Sequence, residues 1–500
     1  MSQRTTGKNR VTEIANTFEW LVTAFMLAFV FRAFIMEAFR IPTGSMADTL
    51  KGAHFRLCCS QCAYKYDYGL GNFGLPRDTM PYGSLQPKPS RCPSCGHYQT
   101  TGGVMPIANG DRILVLKCIY QFFEPKRWDV VVFKNPLDPT INYIKRLIAL
   151  PGETVEIIDG DIYINGQISR KPPKVQNELW MAVYDNDYQP ARPKEPSFNN
   201  HPWQQPFRNI ADSNWILDKD NPTIFRLDSP SDQIDSLIYD ATIGNELRAT
   251  YAYDNVREYE YMPFCSDLMV RFYLVLDKPE GRIGIALSKY QTRYKAWVDL
   301  AGQMLIEAET GTKTVELVSK LIEPPAPNVP TLVKFANVDH QLIFEFGPEK
   351  LTYDLGREPN DAGERKTDIQ PQVKIFGSGK LTLSHTAIFR DIHYTREKTF
   401  SSSNRARATE GNPFTLGKDE FFVLGDNSPN SEDCRWWNKE GIGNNRTFYR
   451  RGIVPRDYLV GKALFVYWPS GFRPFEKSRF AVIPNVGQMR FIYGGSDKYR

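Results

Sequence analysis

YIKRLIALPGETVEIIDGDIYINGQ, residues 143–167, is rich in the β-branched and aromatic side chains that favour β-strands. The dipeptides that begin at Asp159 and Asn165 are Asp-Gly and Asn-Gly, which favour tight hairpin turns because both of their residues adopt positive φ. We therefore predict an antiparallel pair over Val155–Gln167, preceded by a strand that contains Lys145. Such a pair indicates an antiparallel β protein.

Similar short runs of Val, Ile, Phe and Tyr occur on both sides of this hairpin. They predict strands at 112–117, 129–133, 143–149, 154–157, 161–164, 420–424 and 463–467. A second set, at hairpin spacing, is typical of a β-sandwich: 268–276, 282–287, 304–308, 342–346, 373–376, 381–383 and 387–394. The sequence therefore predicts a mainly β protein in which one β domain is inserted into another.

Length and composition restrict the class of protein further. The 500 residues are enough for three domains of ordinary size. Hydrophobic residues make up 41% of the chain and aromatic residues 13%, which excludes a mostly disordered or collagen-like protein. A net charge of +5, spread over 62 basic and 57 acidic side chains, gives no field that indicates nucleic-acid binding. We expect no nucleic-acid partner.

The N-terminal segment predicts a membrane anchor. A helix over residues 14–33 has the roughly 20 residues needed to cross a bilayer, and Arg4, Lys8 and Arg10 precede it. No small-residue cleavage site follows, since residues 34–40 are mostly bulky. By the positive-inside rule, the basic tail stays in the cytoplasm and the rest of the chain lies across the membrane. The alternative is a buried helix of a soluble domain.

Five of the eight cysteines fall between positions 58 and 95. Four of them form two C-x-x-C pairs, which are Cys59 with Cys62 and Cys92 with Cys95. Tetrahedral Zn²⁺ binds four thiolates on such pairs, so we predict a zinc-ribbon-like segment over 57–102 with a structural Zn²⁺. Two disulfides are the competing prediction, because thiols oxidise outside the cytoplasm. Cys58 could replace Cys59, whereas His97 is expected to be a bystander.

Three segments carry catalytic chemistry. Ser45 lies on a Gly-containing turn in IPTGSM, residues 41–46; Lys145 lies in an apolar strand; and FVLGDNSPNSEDCR, residues 422–435, follows another strand. Together with GDR at 110–112 and WDVVVFK at 128–134, these segments resemble the conserved boxes of bacterial type I signal peptidases, in the same order. The resemblance covers residues 30–50, 109–167 and 418–468.

The resemblance implies a membrane-anchored serine endopeptidase that removes signal peptides from exported preproteins. It implies that Ser45 is the nucleophile, that Lys145 is its general base, and that the Ser431 hydroxyl orients the lysine. Thr43 and the Ser45 backbone N–H would form the oxyanion hole. It also implies residues that support the site, namely Gly425, Asp426, Asp433 and Arg435. The resemblance further implies a single-pass protein of the bacterial inner membrane with its catalytic domain on the extracytoplasmic side. It implies no cofactor for catalysis.

The pairing of Ser45 with Lys145 also has a chemical basis of its own. A serine attacks a peptide carbonyl only when a base takes its proton, and a lysine can be that base only when neutral. Burial disfavours the ammonium and lowers a lysine pKa by up to about 3 to 5 units. The candidates for an apolar wall around the lysine are Phe133, Tyr143, Ile144 and Leu147.

A substrate cleft is predicted beside the pair. Phe39, Ile41 and Pro42 approach the serine on one side, and Tyr143 and Ile144 flank the lysine on the other. An extended peptide could bind there by strand addition. The resemblance implies shallow pockets for small residues, usually Ala. The family's usual boxes differ at three positions, where this chain has Asp48 in place of proline, Ser428 in place of arginine and Cys434 in place of serine.

The predicted layout follows from these features. It consists of a basic tail 1–13, a transmembrane anchor 14–33, a catalytic core 34–56, 103–167 and 413–475, the zinc-ribbon-like segment 57–102, a Pro-rich linker 168–240, a β-sandwich 241–396, a linker 397–412 and a C-terminal tail 476–500. The sandwich weakly resembles concanavalin-like jelly rolls, through residues 338–346 and 388–394.

Two other functions are compatible with parts of this sequence. Self-cleaving repressor proteases share the β-fold and the Ser-Lys pair, but they carry a DNA-binding head where this chain has the predicted anchor. A non-catalytic, membrane-anchored binding protein could use the zinc ribbon and the sandwich as binding modules. The intact Ser45, Lys145 and Ser431 argue against that alternative.

Overall fold

The computed structural model describes residues 5–70, 84–100, 102–198, 201–210, 212–217, 221–256, 261–356, 369–396, 406–443, 448–471 and 483–494, with only the backbone at 5–11. Strands make up 45% of the structure and helices 11%. The predicted mainly β class is therefore confirmed. The predicted linker 397–412 and C-terminal tail 476–500 lie partly outside the described residues.

The chain begins with a long apolar helix, Thr5–Val30, which continues into a π-helical turn, Phe31–Ile35. Within Thr12–Ile35, an 18-residue window has a mean hydropathy of 1.8, and none of that window is buried. Trp20, for example, is 77% exposed. The helix is long and apolar enough to cross a membrane, although a signal sequence has the same length and composition. Its crossing of a membrane remains a prediction.

Lys145 lies in an eight-stranded antiparallel sheet, which we call the Lys145 sheet. Its strands run in the order Met36–Arg40, Arg112–Leu116, Leu459–Trp468, Val130–Asn135, Asp138–Ala149, Glu420–Leu424 and Val454–Pro455, and Arg490–Phe491 pairs with Leu459–Trp468. The strands Val130–Asn135 and Glu420–Leu424 are mainly apolar and buried, and both faces of the sheet pack against hydrophobic clusters. Strands from residues 36–149 and 420–491 therefore join in one sheet.

The predicted hairpin packs beside this sheet in a four-stranded sheet. The strands are Gln167–Ile168, Asp161–Ile164, Thr154–Ile158 and Phe414–Thr415. Val155 pairs with Ile164, and Ile158 pairs with Asp161. Asp159 and Gly160 have φ of 50° and 86°, which is the left-handed region that Asp-Gly turns favour. The hairpin prediction is confirmed.

The cysteine-rich segment contains only short strands. His54–Cys58 pairs with Lys65–Gly69, Ser90–Arg91 pairs with Tyr98–Gln99, and Ser84–Leu85 pairs with Met105–Pro106. The four paired cysteines lie in one small hydrophobic cluster with aromatic residues such as Phe55 and Tyr68. A core this small gains little from hydrophobic burial, so its stability depends on what joins the cysteines.

Residues 181–390 form two further sheets, which we call the two-sheet unit. One contains Ile216–Leu217, Phe225–Asp228, Lys380–Arg390, Leu268–Leu276, Thr331–Val338, Gln341–Phe346 and Glu349–Asp354, with Met181–Asp185 paired to Lys380–Arg390. The other contains Phe207–Asn209, Asp235–Tyr239, Val373–Ser378, Arg282–Lys289, Thr292–Asp299, Gln303–Thr310 and Lys313–Leu321. One hydrophobic core draws buried residues from both sheets. The jelly-roll classification remains a prediction.

The prediction that residues 168–240 form a Pro-rich linker is corrected by the structure, because this segment contains regular structure. The short helix Pro173–Leu179 begins on a proline, whose fixed φ suits the first helical turn. Five strands between Met181 and Tyr239 then join the two-sheet unit. The other prolines of this segment fall between these elements and interrupt none of them.

The remaining short helices connect strands. They are Ile119–Phe122 and the 3₁₀ turns Ser428–Asn430, Arg456–Tyr458 and Val486–Gln488. Gly441–Ile442 and Phe448–Tyr449 form a separate small ladder. Only the turn Ser428–Asn430 bears on the candidate site, because it lies in the box that follows the strand Glu420–Leu424.

Candidate active site

Ser45 lies on a turn that follows the first strand of the Lys145 sheet, Met36–Arg40. The next residue, Met46, is fully buried, and its carbonyl oxygen accepts a hydrogen bond from the Leu50 N–H at 2.7 Å. Ser45 itself is half-buried. Because one side of the turn is anchored in the core, the position of the serine hydroxyl is restricted.

Lys145 approaches this serine from the neighbouring region of the sheet. Its Nζ lies 2.7 Å from Ser45 Oγ and 3.0 Å from the backbone oxygen of Ile144. The lysine is 4% exposed. Burial lowers the pKa of Lys145 to about 8, although Asp433 and Asp426 act in the opposite direction. At that pKa about one lysine in ten is neutral at pH 7, against about 4 in 10,000 for an ordinary lysine.

Aromatic rings form one side of the lysine's surroundings. Lys145 Nζ lies 5.4 Å from the centre of the Tyr143 ring. Tyr143 in turn packs against Phe133 and Trp437, with ring centres 6.4 Å apart in both pairs. Leu147 is fully buried in the same cluster as Phe133. Three of the four residues predicted for the apolar wall therefore lie on the lysine's side of the sheet, and Trp437 joins them.

Ile144 was also predicted to belong to the apolar wall around Lys145, and the structure corrects this prediction. Side chains alternate along a strand, so Ile144 points away from the face that carries Tyr143 and Lys145. It packs instead with Phe39 against the cluster that contains Ile41. Ile144 therefore cannot help to desolvate the lysine, although its position beside Phe39 is compatible with the predicted substrate cleft.

The predicted cleft residues lie in different environments. Ile41 is only 2% exposed, so its side chain belongs to the core and only its backbone can face a peptide. Pro42 and Thr43 are exposed at the start of residues 42–50, which we call the nucleophile turn after the predicted role of Ser45. The structure thus brings Phe39, Ile41 and Ile144 together, and it places Tyr143 on the opposite face of its strand.

A buried ion pair joins the lysine strand to the box at 422–435. Arg146 Nε and Nη2 lie 2.8 Å and 2.7 Å from the two carboxylate oxygens of Asp426, and both side chains are fully buried. The Thr49 hydroxyl, four residues after the serine, also donates to Asp426. A bidentate pair of this kind fixes direction as well as distance. It therefore aligns the lysine strand, the nucleophile turn and the box.

A second buried pair lies within the box. Arg435 Nε and Nη2 lie 2.9 Å and 2.8 Å from the Asp433 carboxylate oxygens. Asp433 also accepts a hydrogen bond from the Gly425 N–H at 3.1 Å. Burial alone would raise the pKa of Asp433, but the Arg435 guanidinium outweighs it and holds the pKa below its ordinary value. Asp433 is therefore an anion that organises this loop.

Ser431 lies close to the nucleophile without the contact that the resemblance implies. Its hydroxyl is buried beside the Asp433 carboxylate, and no hydrogen bond joins it to Lys145 within the described part of the chain. A Cβ placed on Gly425 would lie 2.2 Å from Ser431 Oγ and 2.4 Å from the Ser45 backbone oxygen. Only glycine fits between these two serines. The orienting role of Ser431 remains a prediction.

The three departures from the family's usual boxes occupy defined positions. Ser428 Oγ accepts hydrogen bonds from Arg435 Nη1 and the Thr395 N–H, both at 2.8 Å. Cys434 is fully buried, and burial raises the pKa of its thiol. Asp48 lines a cavity of about 760 Å³ beside the nucleophile turn, where burial raises the pKa of its carboxyl. None of these residues displaces Ser45 or Lys145.

The four paired cysteines converge as predicted for a metal site. The Sγ atoms of Cys59 and Cys95 are 3.7 Å apart, those of Cys62 and Cys92 are 3.6 Å apart, and all four lie within 4.8 Å of one another. A Zn²⁺ with Zn–S bonds of about 2.3 Å requires tetrahedral edges of about 3.8 Å. A disulfide requires about 2.05 Å, so these pairs are not bonded as disulfides. The cluster could hold a metal ion.

Two other residues near the cluster have different roles. Cys58 is exposed, and its thiol donates to the Ala63 oxygen at 3.5 Å, so the prediction that it could replace Cys59 is wrong for this structure. His97 Nε2 lies 3.1 Å from Ser60 Oγ, and its Nδ1 lies 3.1 Å from the Ser197 backbone oxygen. Both ring nitrogens of His97 are therefore in contact with other groups, and His97 is not among the four residues that could hold the metal.

A serine held against a buried lysine of lowered pKa is an arrangement suited to acyl transfer. Comparison with known families agrees with this class. Residues 96–219 and 370–468 match the family model described as signal peptidase, peptidase S26. The matched residues include Lys145 and the box at 422–435, but not Ser45. These findings support a serine peptidase of the type I signal peptidase class.

Individual relatives point the same way. Over 149 residues the chain is 33% identical to signal peptidase I of Rickettsia canadensis (strain McKiel) and 34% identical to that of Rickettsia akari (strain Hartford). Each match covers 29% of this chain and 42% of the relative, so the chain spans less than half the length of these relatives.

Among solved structures, the carbohydrate binding module CBM66 from Bacillus subtilis is 9% identical, with a TM-score of 0.24. The match covers 38% of this chain and 97% of the carbohydrate binding module. The galectin LEC-6 of Caenorhabditis elegans is 10% identical, with a TM-score of 0.19, over 25% of this chain and 86% of the galectin. Similarity at this level supports no conclusion about the two-sheet unit.

Three residues of the site, Trp437, Arg146 and Thr49, were not predicted from the sequence. Trp437 lies beyond the box and reaches Tyr143 only through the fold. Arg146 had a usable signal, because a charged residue inside an apolar strand needs a buried partner of opposite charge. Thr49 had none, since its partner Asp426 is far away in the chain.

Proposed function

We propose that this protein is a membrane-anchored serine endopeptidase that cleaves signal peptides from exported preproteins. Ser45 is the nucleophile and Lys145 is the general base. The observation that carries the proposal is the 2.7 Å contact between Ser45 Oγ and the buried Lys145 Nζ. The similarity to signal peptidases over residues 96–219 and 370–468 supports the choice of substrate.

The reaction follows the logic of acyl transfer. Ser45 Oγ attacks the scissile carbonyl carbon while its proton passes to the neutral Lys145 Nζ. The lysine ammonium then gives this proton to the leaving amine, and the acyl group stays on Ser45. Lys145, neutral again, takes a proton from water, whose oxygen attacks the ester. That proton returns to Ser45 Oγ, and the signal peptide leaves with a new carboxylate.

The oxyanion of each tetrahedral intermediate needs hydrogen-bond donors. We propose the Thr43 hydroxyl and the Ser45 backbone N–H, which lie two residues apart on one turn. Donors fixed before the reaction stabilise the developing charge without reorganising. The buried pair of Arg146 with Asp426 supports this arrangement, because Thr49 on the same turn donates to Asp426.

The N-terminal helix suits a substrate that is itself anchored in a membrane. We propose that Thr12–Ile35 spans the bacterial inner membrane once and that the Lys145 sheet lies on the extracytoplasmic side. The nucleophile turn begins soon after the helix, so Ser45 would lie near the membrane surface. A signal peptide whose apolar segment is still in the bilayer could then present its cleavage site there.

The cysteine cluster is proposed as a structural site. Cys59, Cys62, Cys92 and Cys95 would hold a Zn²⁺ through their thiolates. The ion would supply folding free energy to a segment with little core of its own. The chemistry proposed at Ser45 and Lys145 uses groups of this chain and one water molecule.

The test is cleavage of a purified preprotein by the full-length chain in detergent. Ser45→Ala and Lys145→Met should each abolish cleavage, because each removes one member of the pair. Lys320→Met is the matched control, since Lys320 lies on the two-sheet unit with its side chain 46% exposed, and it should cleave at the wild-type rate. Cleavage by Lys145→Met at more than a few per cent of the wild-type rate would refute the proposal and favour a non-catalytic binding protein.

A further inference from the structure

A loop of the two-sheet unit packs against the nucleophile turn. Tyr251 and Tyr253 of this loop are 1% and 5% exposed, and they form a small buried cluster with Ala47. The loop lies between the strands Asp235–Tyr239 and Leu268–Leu276, so it comes from the unit that lies outside the predicted catalytic core. We call residues 251–254 the buttress loop.

Tyr253 fills the space directly beside the residue that precedes the nucleophile. A Cβ on Gly44 would lie 2.2 Å from Tyr253 Cε1, so the ring takes the place that a side chain would occupy. A Cβ on Gly69 would meet the same atom at 2.2 Å. The Tyr253 hydroxyl donates to the Ala53 oxygen at 3.2 Å. The ring is thus held between the nucleophile turn and the strand Lys65–Gly69.

The other residues of the buttress loop bind the box that carries Asp426. The Tyr251 hydroxyl donates to the Asp426 backbone oxygen at 2.9 Å. Asp254 Oδ1 accepts a hydrogen bond from Asn427 Nδ2 at 2.8 Å. The Asn427 N–H in turn donates to the Ser45 backbone oxygen at 3.1 Å. A continuous chain of contacts therefore joins the loop to the nucleophile residue.

The exit from the two-sheet unit reaches the same box. The Thr395 N–H donates to Ser428 Oγ at 2.8 Å, and the Thr395 oxygen accepts from Arg435 Nη1 at 2.5 Å. Ser428 stands where the family resemblance expects an arginine, so its small hydroxyl leaves room for this contact. The two-sheet unit therefore holds the box at two separate places.

We propose that the buttress loop positions Ser45 for catalysis, so that the two-sheet unit is a working part of the peptidase site. This inference rests on the proposed function. A turn built on glycine has more conformational freedom than other turns, and the Tyr253 ring removes it beside Gly44. Tyr251, Tyr253 and Asp254 are positioning residues, because they act on Ser45 through Gly44 and Asn427 and do not reach the reacting atoms.

The size of the effect follows from the geometry of acyl transfer. A displacement of about 1 Å of a reacting group lowers the rate by up to about 10²-fold. We therefore expect Tyr253→Leu, which removes the ring, to lower kcat by about 10- to 100-fold. KM should change by less than about twofold, since the substrate cleft beside Phe39 and Ile144 is unchanged. Tyr253→Phe keeps the ring and should restore kcat to within about threefold of wild type.

A loss of stability alone has to be separated from a loss of position. Tyr239→Leu is the matched control, because Tyr239 is 4% exposed in the core of the two-sheet unit and its hydroxyl also donates to a backbone oxygen, that of Asn245 at 2.9 Å. It should lower the melting temperature as Tyr253→Leu does and leave kcat within about twofold. If Tyr253→Leu fails to fold, Tyr251→Phe, which removes only a hydroxyl, should lower kcat by about 3- to 10-fold at an unchanged KM.

The experiment uses the full-length chain in detergent with a purified preprotein, and it measures kcat, KM and melting temperature for each variant. Cleavage by wild type and none by Ser45→Ala establish the peptidase. A folded Tyr253→Leu with wild-type kcat, or a Tyr239→Leu that loses as much kcat, then overturns the positioning role alone. Cleavage by Ser45→Ala at the wild-type rate overturns both the peptidase assignment and the role of the loop.

Discussion

In the proposed mechanism, Lys145 can act as a base because its strand buries it. Its Nζ has one hydroxyl and one carbonyl oxygen within 3.0 Å, while the carboxylates of Asp433 and Asp426 are bound to arginines. Those ion pairs reduce the attraction that would otherwise keep the ammonium charged. The neighbouring Arg146 therefore helps to keep the pKa of Lys145 low, because it pairs with the Asp426 carboxylate.

The first prediction at this scale concerns pH. Burial lowers the pKa of Lys145 to about 8, and only the neutral lysine can accept the serine proton. The ratio kcat/KM should therefore be low at pH 6, rise about tenfold per pH unit, and level off above about pH 8. The measurement is initial cleavage rate against pH at fixed ionic strength.

Lys145→Arg is the control for this pH profile. Guanidinium is not deprotonated in proteins, so this variant should fold and remain inactive at every pH. A wild-type rate that does not change between pH 6 and pH 9 would show that Lys145 is not the base.

At the level of elements, the cysteine cluster yields a second prediction. If the four thiolates hold Zn²⁺, the purified protein should contain about one metal ion per chain, and a chelator should release it. Release should loosen the segment 57–102, because its core is small. Elemental analysis and thiol counting in denaturant measure these quantities.

Cys58→Ser is the matched control for the metal, since Cys58 is exposed and lies next to Cys59, which is proposed as a ligand. It should keep the metal, whereas Cys59→Ser should lose it. A protein with no metal and four fewer free thiols than its sequence provides would contradict the zinc assignment and establish two disulfides.

How far the sequence predicts these elements depends on how local the signal is. The hairpin around Asp159 was predictable because its turn residues are adjacent in the chain. The strands Thr292–Asp299 and Lys313–Leu321 were not predicted, because the first is only partly buried, the second is mostly exposed, and both are rich in polar residues. The strands within 168–240 were missed because they are short and pair with strands far along the chain.

The same reasoning explains the candidate site. The pairing of Ser45 with Lys145 was predicted because each lies in a short motif with its own chemical signal, and the two side chains are in contact. Tyr253 was not, because a tyrosine about two hundred positions away meets Gly44 only after the two-sheet unit has folded. Ile144 was misplaced because the apolar run around Lys145 was considered without the alternation of its side chains.

On the scale of the whole molecule, a buried network of charges joins the hairpin to the two-sheet unit. Lys289 Nζ lies 2.5 Å from Asp267 and 3.6 Å from Asp161, which belongs to the hairpin. Lys171 Nζ lies 2.9 Å from Asp391, and it also pairs with Asp339. Because these side chains are less than 10% exposed, removal of one lysine leaves carboxylates buried without a counter-charge.

The prediction at this scale is a loss of stability. Lys289→Met should lower the free energy of unfolding by about 3 to 5 kcal/mol, measured by urea denaturation. Lys320→Met, which removes an exposed pair with Glu349, should change it by less than about 1 kcal/mol. Equal effects of the two substitutions would mean that the network does not hold the two units together.

A signal peptidase determines the N-termini of exported proteins in the cell. The measurement is mass spectrometry of their N-termini after depletion of this protein, with rescue by either wild type or Lys145→Met. We expect depleted cells to accumulate preproteins that keep their signal peptides, and we expect wild type, but not Lys145→Met, to restore the mature N-termini. Unchanged N-termini after depletion, or full rescue by Lys145→Met, would contradict a Ser45 and Lys145 signal peptidase.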